Sequence, residues 1–162
     1  MRTKQLPFLN DILWAAPLRS VWTYRFARLL LSAVFVYAGA LKLADPVAFG
    51  AVIAGYGLLP RALVGPVALG LPLAEVVAGI GLALDRRISL GAILVLVLLF
   101  MGVLAYGIGL GLDVDCGCYG PGDPQGEAFQ GLRIALARDT ALLAMILYML
   151  WWRRMARAGS QE

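Results

Sequence analysis

Apolar positions in this chain come in long unbroken runs, and each run ends at charges, glycines or prolines. Four runs reach the roughly 20 residues that an α-helix needs to cross a bilayer core about 30 Å thick. They cover residues 24–44 ("YRFARLLLSAVFVYAGALKLA"), 61–84, 88–112 and 132–152. Between the first two, residues 45–60 ("DPVAFGAVIAGYGLLP") form an apolar stretch too short to cross and return. The pattern predicts a short helix there, with Asp45 as N-cap and Pro46 at the first helical position, closed at Tyr56 and Pro60. Gly55 and Gly57 then let the chain turn back into the membrane. The tight "DRR" link at residues 85–87 admits only antiparallel neighbours. The expected fold class is all-α, an integral membrane four-helix up-down bundle.

Composition agrees: 61% of the residues are hydrophobic, against roughly half in soluble domains. Residues 1–23 form an N-terminal cytoplasmic or interfacial segment, 24–152 the membrane domain and 153–162 a basic tail. Within the first segment, residues 6–22 mix Leu, Ile, Trp and Phe with Arg and Asp, and Pro7 and Pro17 bracket a stretch too short to span. Such a segment lies along the membrane interface; a loosely ordered leader is the alternative. A secretory signal ending at "AGA" is disfavoured, because a segment of more than twenty residues carrying polar and charged groups precedes the apolar run.

The net charge of +4 invites a nucleic-acid reading, but its distribution opposes one. Arg2, Lys4, Arg19, Arg25, Arg28, Arg86, Arg87, Arg153, Arg154 and Arg157 all fall on one side of the four runs. The other side carries Arg61 and Arg133 against Asp45, Asp113, Asp115, Asp123 and Glu127. The excess of basic residues in cytoplasmic segments predicts both termini in the cytoplasm and the segment after the third run outside.

Lys42, Glu75, Arg138 and Asp139 sit inside the apolar runs, and their formal charges cancel. Burying a single charge there costs a few kcal/mol, so such residues face the interior and pair. Glu75 is expected to pair with Arg138 or Lys42. For Lys42, snorkelling to the interface stays open. The short carboxylate stem of Glu75 does not allow it. The glycines of the second and third runs, including Gly65, Gly70, Gly79, Gly81, Gly102, Gly107, Gly109 and Gly111, suit close helix approach.

The chain's only two cysteines, Cys116 and Cys118, flank Gly117 in "DVDCGCYGPGD". On an oxidising face they would close a very small ring. Gly117 supplies the backbone freedom such a ring needs, and strained disulfides are exchange-prone. A ring this short gains little from chain entropy, which makes a structural staple the weaker reading. Thiol–disulfide exchange is favoured. A soft-metal site on Cys116 and Cys118 for Cu, Hg or Zn, an inert thiol pair, and a calcium loop on Asp113, Asp115 and Asp123 remain open. The chain has no histidine, and a closed zinc site takes four ligands. Asp113 and Asp115 oppose thiolate formation, which Arg133 or Arg138 would offset if the segment folds back.

These residues together resemble the MauE family of methylamine-utilisation membrane proteins, within the wider DoxX-like four-helix set. The resemblance rests on "GALKLADPVAF" leading to "YGLLP", on "LPLAEVVAGIGL", on "DCGCYG" and on "ARDTALL". It implies a redox-associated inner-membrane protein that works with an extracytoplasmic thioredoxin-like partner in forming or delivering disulfides. Cys116 and Cys118 would then exchange, with Tyr119 fitting the motif. Gly117, Asp115, Lys42, Glu75, Arg133, Arg138 and Asp139 would support the loop or move a proton. A quinone acceptor enters only by analogy with other four-helix thiol oxidoreductases, which carry more cysteines. With one pair and no thiol inside a span, electrons would pass sideways to a quinone or a partner protein. The sequence does not set the oligomeric state.

Overall fold

The computed structural model describes residues 20–112 and 128–158 of the chain, and every element among the described residues is an α-helix. In chain order these are α1 (Val21–Ala44), α2 (Pro46–Gly55), α3 (Arg61–Ala83), α4 (Arg87–Gly109) and α5 (Ala128–Ala158). Four of them, α1, α3, α4 and α5, are long and apolar enough to cross a membrane. A third or less of each spanning stretch is buried. The large apolar side chains left over, among them Phe26, Leu29, Leu73, Val77, Val95 and Leu99, point outward. An apolar surface of that extent suits lipid rather than water.

Local chemistry sets the helix ends. Helix α1 begins ahead of its apolar run because the Ser20 hydroxyl accepts a hydrogen bond from the Trp22 N–H at 3.3 Å. Helix α2 starts as its sequence predicts: Asp45 Oδ1 accepts from the Ala48 N–H at 3.0 Å, and Pro46 follows the cap. Helix α4 stops at Gly109, short of the expected Leu112, because Gly111 adopts a left-handed backbone (φ 63°). The N–H groups of Gly111 and Leu112 then close back onto the carbonyls of Ile108 and Gly107. Helix α5 continues past its apolar run at both ends, as no proline or helix-ending glycine interrupts it there.

Helices α1 and α3 make the closest approach. A Cβ at Gly39 would lie 2.8 Å from the Pro72 carbonyl oxygen and 2.8 Å from Val76 Cγ2. One at Gly79 would lie 2.8 Å from Val36 Cγ2 and 3.1 Å from the Ser32 carbonyl oxygen. The Ser32 hydroxyl donates to the Gly79 carbonyl at 2.7 Å, which ties the two backbones. Gly81 and Gly107 also meet neighbours, Ser89 and the Tyr56 ring respectively. Gly65, Gly70, Gly102 and Gly109 meet nothing within 4 Å, so only part of the glycine pattern serves close packing.

Two apolar clusters form the core. The larger joins Tyr24, Leu31, Phe35, Leu82, Leu90, Ile93, Val97, Ile146 and Met149 from α1, α3, α4 and α5. The smaller joins Tyr56, Leu104, Leu132 and Ala135 where α4 ends and α5 begins. If the α1–α3 contact governs stability, Gly39→Ala and Gly79→Ala should each lower it by about 1–3 kcal/mol through overpacking. Gly70→Ala and Gly102→Ala should stay within about 0.5 kcal/mol of the parent. Thermal unfolding of the four variants in detergent checks both halves of this expectation.

Candidate functional site

Between the two apolar clusters lies a cavity of about 80 Å³, lined by groups from α1, α3, α4 and α5 and by Tyr56. Into it the fold brings Lys42, Glu75, Arg138 and Asp139. Lys42 is 5% exposed and Glu75 1%. The Lys42 ammonium donates to both carboxylate oxygens of Glu75, at 2.7 and 2.9 Å. The Phe100 and Phe49 rings lie 4.9 and 5.5 Å from Lys42 Nζ. An ammonium between a chelating carboxylate and two ring faces has replaced its water shell with fixed partners. Snorkelling of Lys42 is therefore not what the structure shows. Of the two expected partners of Glu75, Lys42 takes the direct contact.

Arg138 instead bonds its chain neighbour: Nε and Nη2 donate to Asp139 Oδ1 at 3.2 and 3.1 Å. Asp139 is 3% exposed. Its second oxygen, Oδ2, is buried and has no hydrogen-bond partner among the described residues. A buried acceptor without a donor is costly, and this one belongs to a residue lining the cavity. At about 30 Å³ of liquid per molecule, the cavity has room for two or three waters. It is smaller than the roughly 300 Å³ at which small-molecule sites begin.

The other sequence-predicted residues are placed differently. Arg133 is on the exposed surface of α5, between the start of that helix and Arg138. Cys116, Cys118, Gly117, Tyr119 and Asp115 lie outside the described residues, as do Asp113, Asp123 and Glu127. The chain between α4 and α5 carries all of them, and both flanking helices line the cavity, through Phe100, Val103 and Leu104 on one side and Arg138 and Asp139 on the other. Among the described residues no group of three His, Cys, Asp or Glu is arranged to hold a metal ion. Sequence reasoning missed the aromatic walls. Phe100 alone interrupts an aliphatic run, and that was its available signal.

A second charged cluster, also unforeseen, closes the opposite end of the helices. Asp85, in the α3–α4 link, accepts from Arg153 at 2.8 Å and from the Tyr24 hydroxyl at 3.2 Å, and pairs with Arg28 at 3.0 Å. Arg153 Nε also donates to the Tyr24 oxygen at 2.8 Å, and the Tyr24 and Trp152 rings stack 4.2 Å apart. Asp85 holds a left-handed backbone (φ 56°), the position glycine usually takes at a helix C-terminus. The N–H groups of Asp85 and Arg86 bond the Leu82 and Gly81 carbonyls, each at 2.9 Å. Partial burial pushes the Asp85 carboxyl up, but the hydrogen bond and charge of Arg28, with Arg153 and Tyr24, outweigh it and hold the group below its ordinary value.

The protein-family model described as "Methylamine utilisation protein MauE" matches residues 20–152 of the chain. No curated protein and no solved structure matches it.

Removing either member of the buried pair strands the other. Glu75→Gln or Lys42→Met should each cost about 3–5 kcal/mol of stability. Lys42→Met combined with Glu75→Leu should recover most of that loss, as read by chemical or thermal unfolding in detergent. Asp85 gives a pH signature. Because its folded-state value lies below the ordinary 3.8, its contribution is complete above that pH and disappears as pH falls through the folded value. Asp85→Asn keeps a residue type that tolerates the left-handed backbone. It should melt below the parent at neutral pH, and the gap should close in the acid range below the ordinary carboxylate value.

Proposed function

From a chain that belongs to the MauE family, that of methylamine utilisation proteins, we infer a multi-pass membrane protein that carries out thiol–disulfide exchange through Cys116 and Cys118. On this reading α1, α3, α4 and α5 form a four-helix up-down bundle in a bacterial inner membrane. Both termini face the cytoplasm, and the segment between α4 and α5 faces the periplasm. The contact pattern supports the antiparallel order. The start of α1, the α3–α4 link and the end of α5 meet at Asp85, while the end of α4 and the start of α5 meet at Tyr56.

In the exchange, a thiolate of a thioredoxin-like partner attacks one sulfur of the Cys116–Cys118 disulfide. The S–S bond breaks, a mixed disulfide forms, and the other cysteine leaves as a thiolate that takes up a proton. The partner's second thiolate then attacks the mixed disulfide. The partner leaves oxidised and the Cys116–Cys118 pair remains as a dithiol, so two electrons have moved from partner to chain. This direction delivers a disulfide to the partner; the reverse sequence reduces an oxidised partner and restores the Cys116–Cys118 disulfide. No step is routed through a quinone.

The observation that supports this reading is the buried charge set at the cavity lined by the two helices that flank the cysteine-bearing segment in the chain. Lys42 and Glu75 fix each other, and Arg138 anchors only one oxygen of Asp139. Asp139 Oδ2, buried at a water-sized cavity, is suited to take or return the proton that each thiolate requires. The Lys42–Glu75 pair supports the shape of the site.

Trapping tests the proposal. Cys118→Ser, supplied with a thioredoxin-like partner in its disulfide form, should accumulate a mixed disulfide at Cys116 on non-reducing gels as the Cys116 thiolate attacks the partner's S–S bond, and reductant should release it. A membrane-impermeant maleimide should label the reduced pair from the periplasmic side. Asp139→Asn should slow exchange several-fold without changing which partner is trapped. The absence of an adduct from both Cys116→Ser and Cys118→Ser, or labelling from the cytosol alone, would refute the assignment.

A further inference from the structure

At the end of the helices marked by Asp85 lies an open pocket of about 560 Å³, far from the intramembrane cavity in sequence and composition. Its walls include Arg25, Arg28, Arg87 and Arg153, with Asp85 as the carboxylate among them, and Val21, Tyr24, Trp152 and Ala156 complete it. Arg28 and Arg153 share that carboxylate, at 3.0 and 2.8 Å. Neither Arg25 nor Arg87 forms an ion pair among the described residues, and both are exposed. Arg28 retains a buried Nε–H with no acceptor among those residues. The pocket thus holds more guanidinium donors than its one carboxylate satisfies.

The surroundings narrow the kind of anion. Val21, Trp22 and Phe26 stand exposed beside the pocket, Trp22 at 76% and Phe26 at 70%. Arg25 lies over the Trp22 ring, 5.6 Å from its centroid. Tryptophan stacked under arginine at the end of a spanning helix marks the headgroup layer of a bilayer. A free anion would use the arginines alone. A lipid would also use the apolar surface that continues from Val21 and Phe26 down α1, along which an acyl chain can run. Basic pockets between spanning helices are the usual seats of anionic headgroups.

We propose that this pocket binds the phosphate headgroup of an anionic phospholipid, with Arg25 and Arg87 as its main ligands and the Asp85–Arg28–Arg153–Tyr24 cluster as its floor. The site is independent of the thiol chemistry. Its occupant would link the start of α1, the α3–α4 link and the end of α5 at the membrane surface.

Native mass spectrometry of the full chain in neutral detergent, titrated with phosphatidylglycerol or phosphatidylcholine, tests the proposal. The parent should retain phosphatidylglycerol preferentially. Arg25→Gln combined with Arg87→Gln should weaken that retention by roughly fivefold for each arginine removed. The double variant leaves the Asp85 pairs intact, so thermal unfolding should show it folded. Arg154→Gln, exposed and outside the pocket, should change retention less than about twofold. Equal retention of the two lipids overturns the proposal, as does an equal loss in the Arg154→Gln control. Displacement of the lipid by millimolar inorganic phosphate also overturns it and assigns the pocket to a free anion.

Discussion

A lysine and a glutamate set into apolar helices cannot both remain charged and apart, because the bilayer interior offers neither of them water. In this protein the requirement is met by one chelating contact, Lys42 to both oxygens of Glu75, and much of the fold follows from it. The contact joins α1 to α3. It lies beside the place where Gly39 lets α1 come close to the backbone of Pro72, so the ion pair and the missing side chain act at one level of the interface. Gly79 and the Ser32 hydroxyl repeat the arrangement further along the same pair. A buried pair of this kind adds little stability over an apolar substitute. What it enforces is register, since a small slide of either helix would separate the charges.

The same requirement explains why the charges fall into two layers. In the interior layer the groups are nearly inaccessible, formally balanced and gathered at a cavity, and Asp139 is the one whose hydrogen bonding is incomplete. The layer at the Asp85 end is half in solvent, and its arginines outnumber its carboxylate. The first arrangement suits holding a proton in a place where only a few waters fit. The second suits contact with an anionic surface. The proposed thiol exchange would use the first, since it moves protons, and the proposed lipid site would use the second.

Much of this is legible in the order of residues alone. Long apolar runs name the four spanning helices, because a bilayer core sets a minimum length that few other structures meet. The Asp45–Pro46 pair names the start of α2, since capping depends on residues adjacent in the chain. The need of Lys42, Glu75, Arg138 and Asp139 to face inward is equally plain from their position within apolar runs. Their pairing is not. Glu75 has two cations within plausible reach, and the choice depends on how α1 and α5 rotate about their axes, which run length does not encode. The glycine pattern is likewise ambiguous. Gly70 and Gly79 read alike in the sequence, yet one meets nothing and the other meets α1.

Residue order alone fixes the all-helical, membrane-spanning class of the molecule, the number and approximate limits of its apolar spans, and which charged groups fall inside them. Each of these is a property of local composition and chain length. It took the folded arrangement to show that Lys42 is enclosed by Glu75, Phe49 and Phe100, that one Asp139 oxygen has no partner among the described residues, and that Asp85 gathers Tyr24, Arg28 and Arg153 from helices far apart in the chain. Those facts depend on helix rotation and close packing, and both arise from the mutual fit of side chains on different segments.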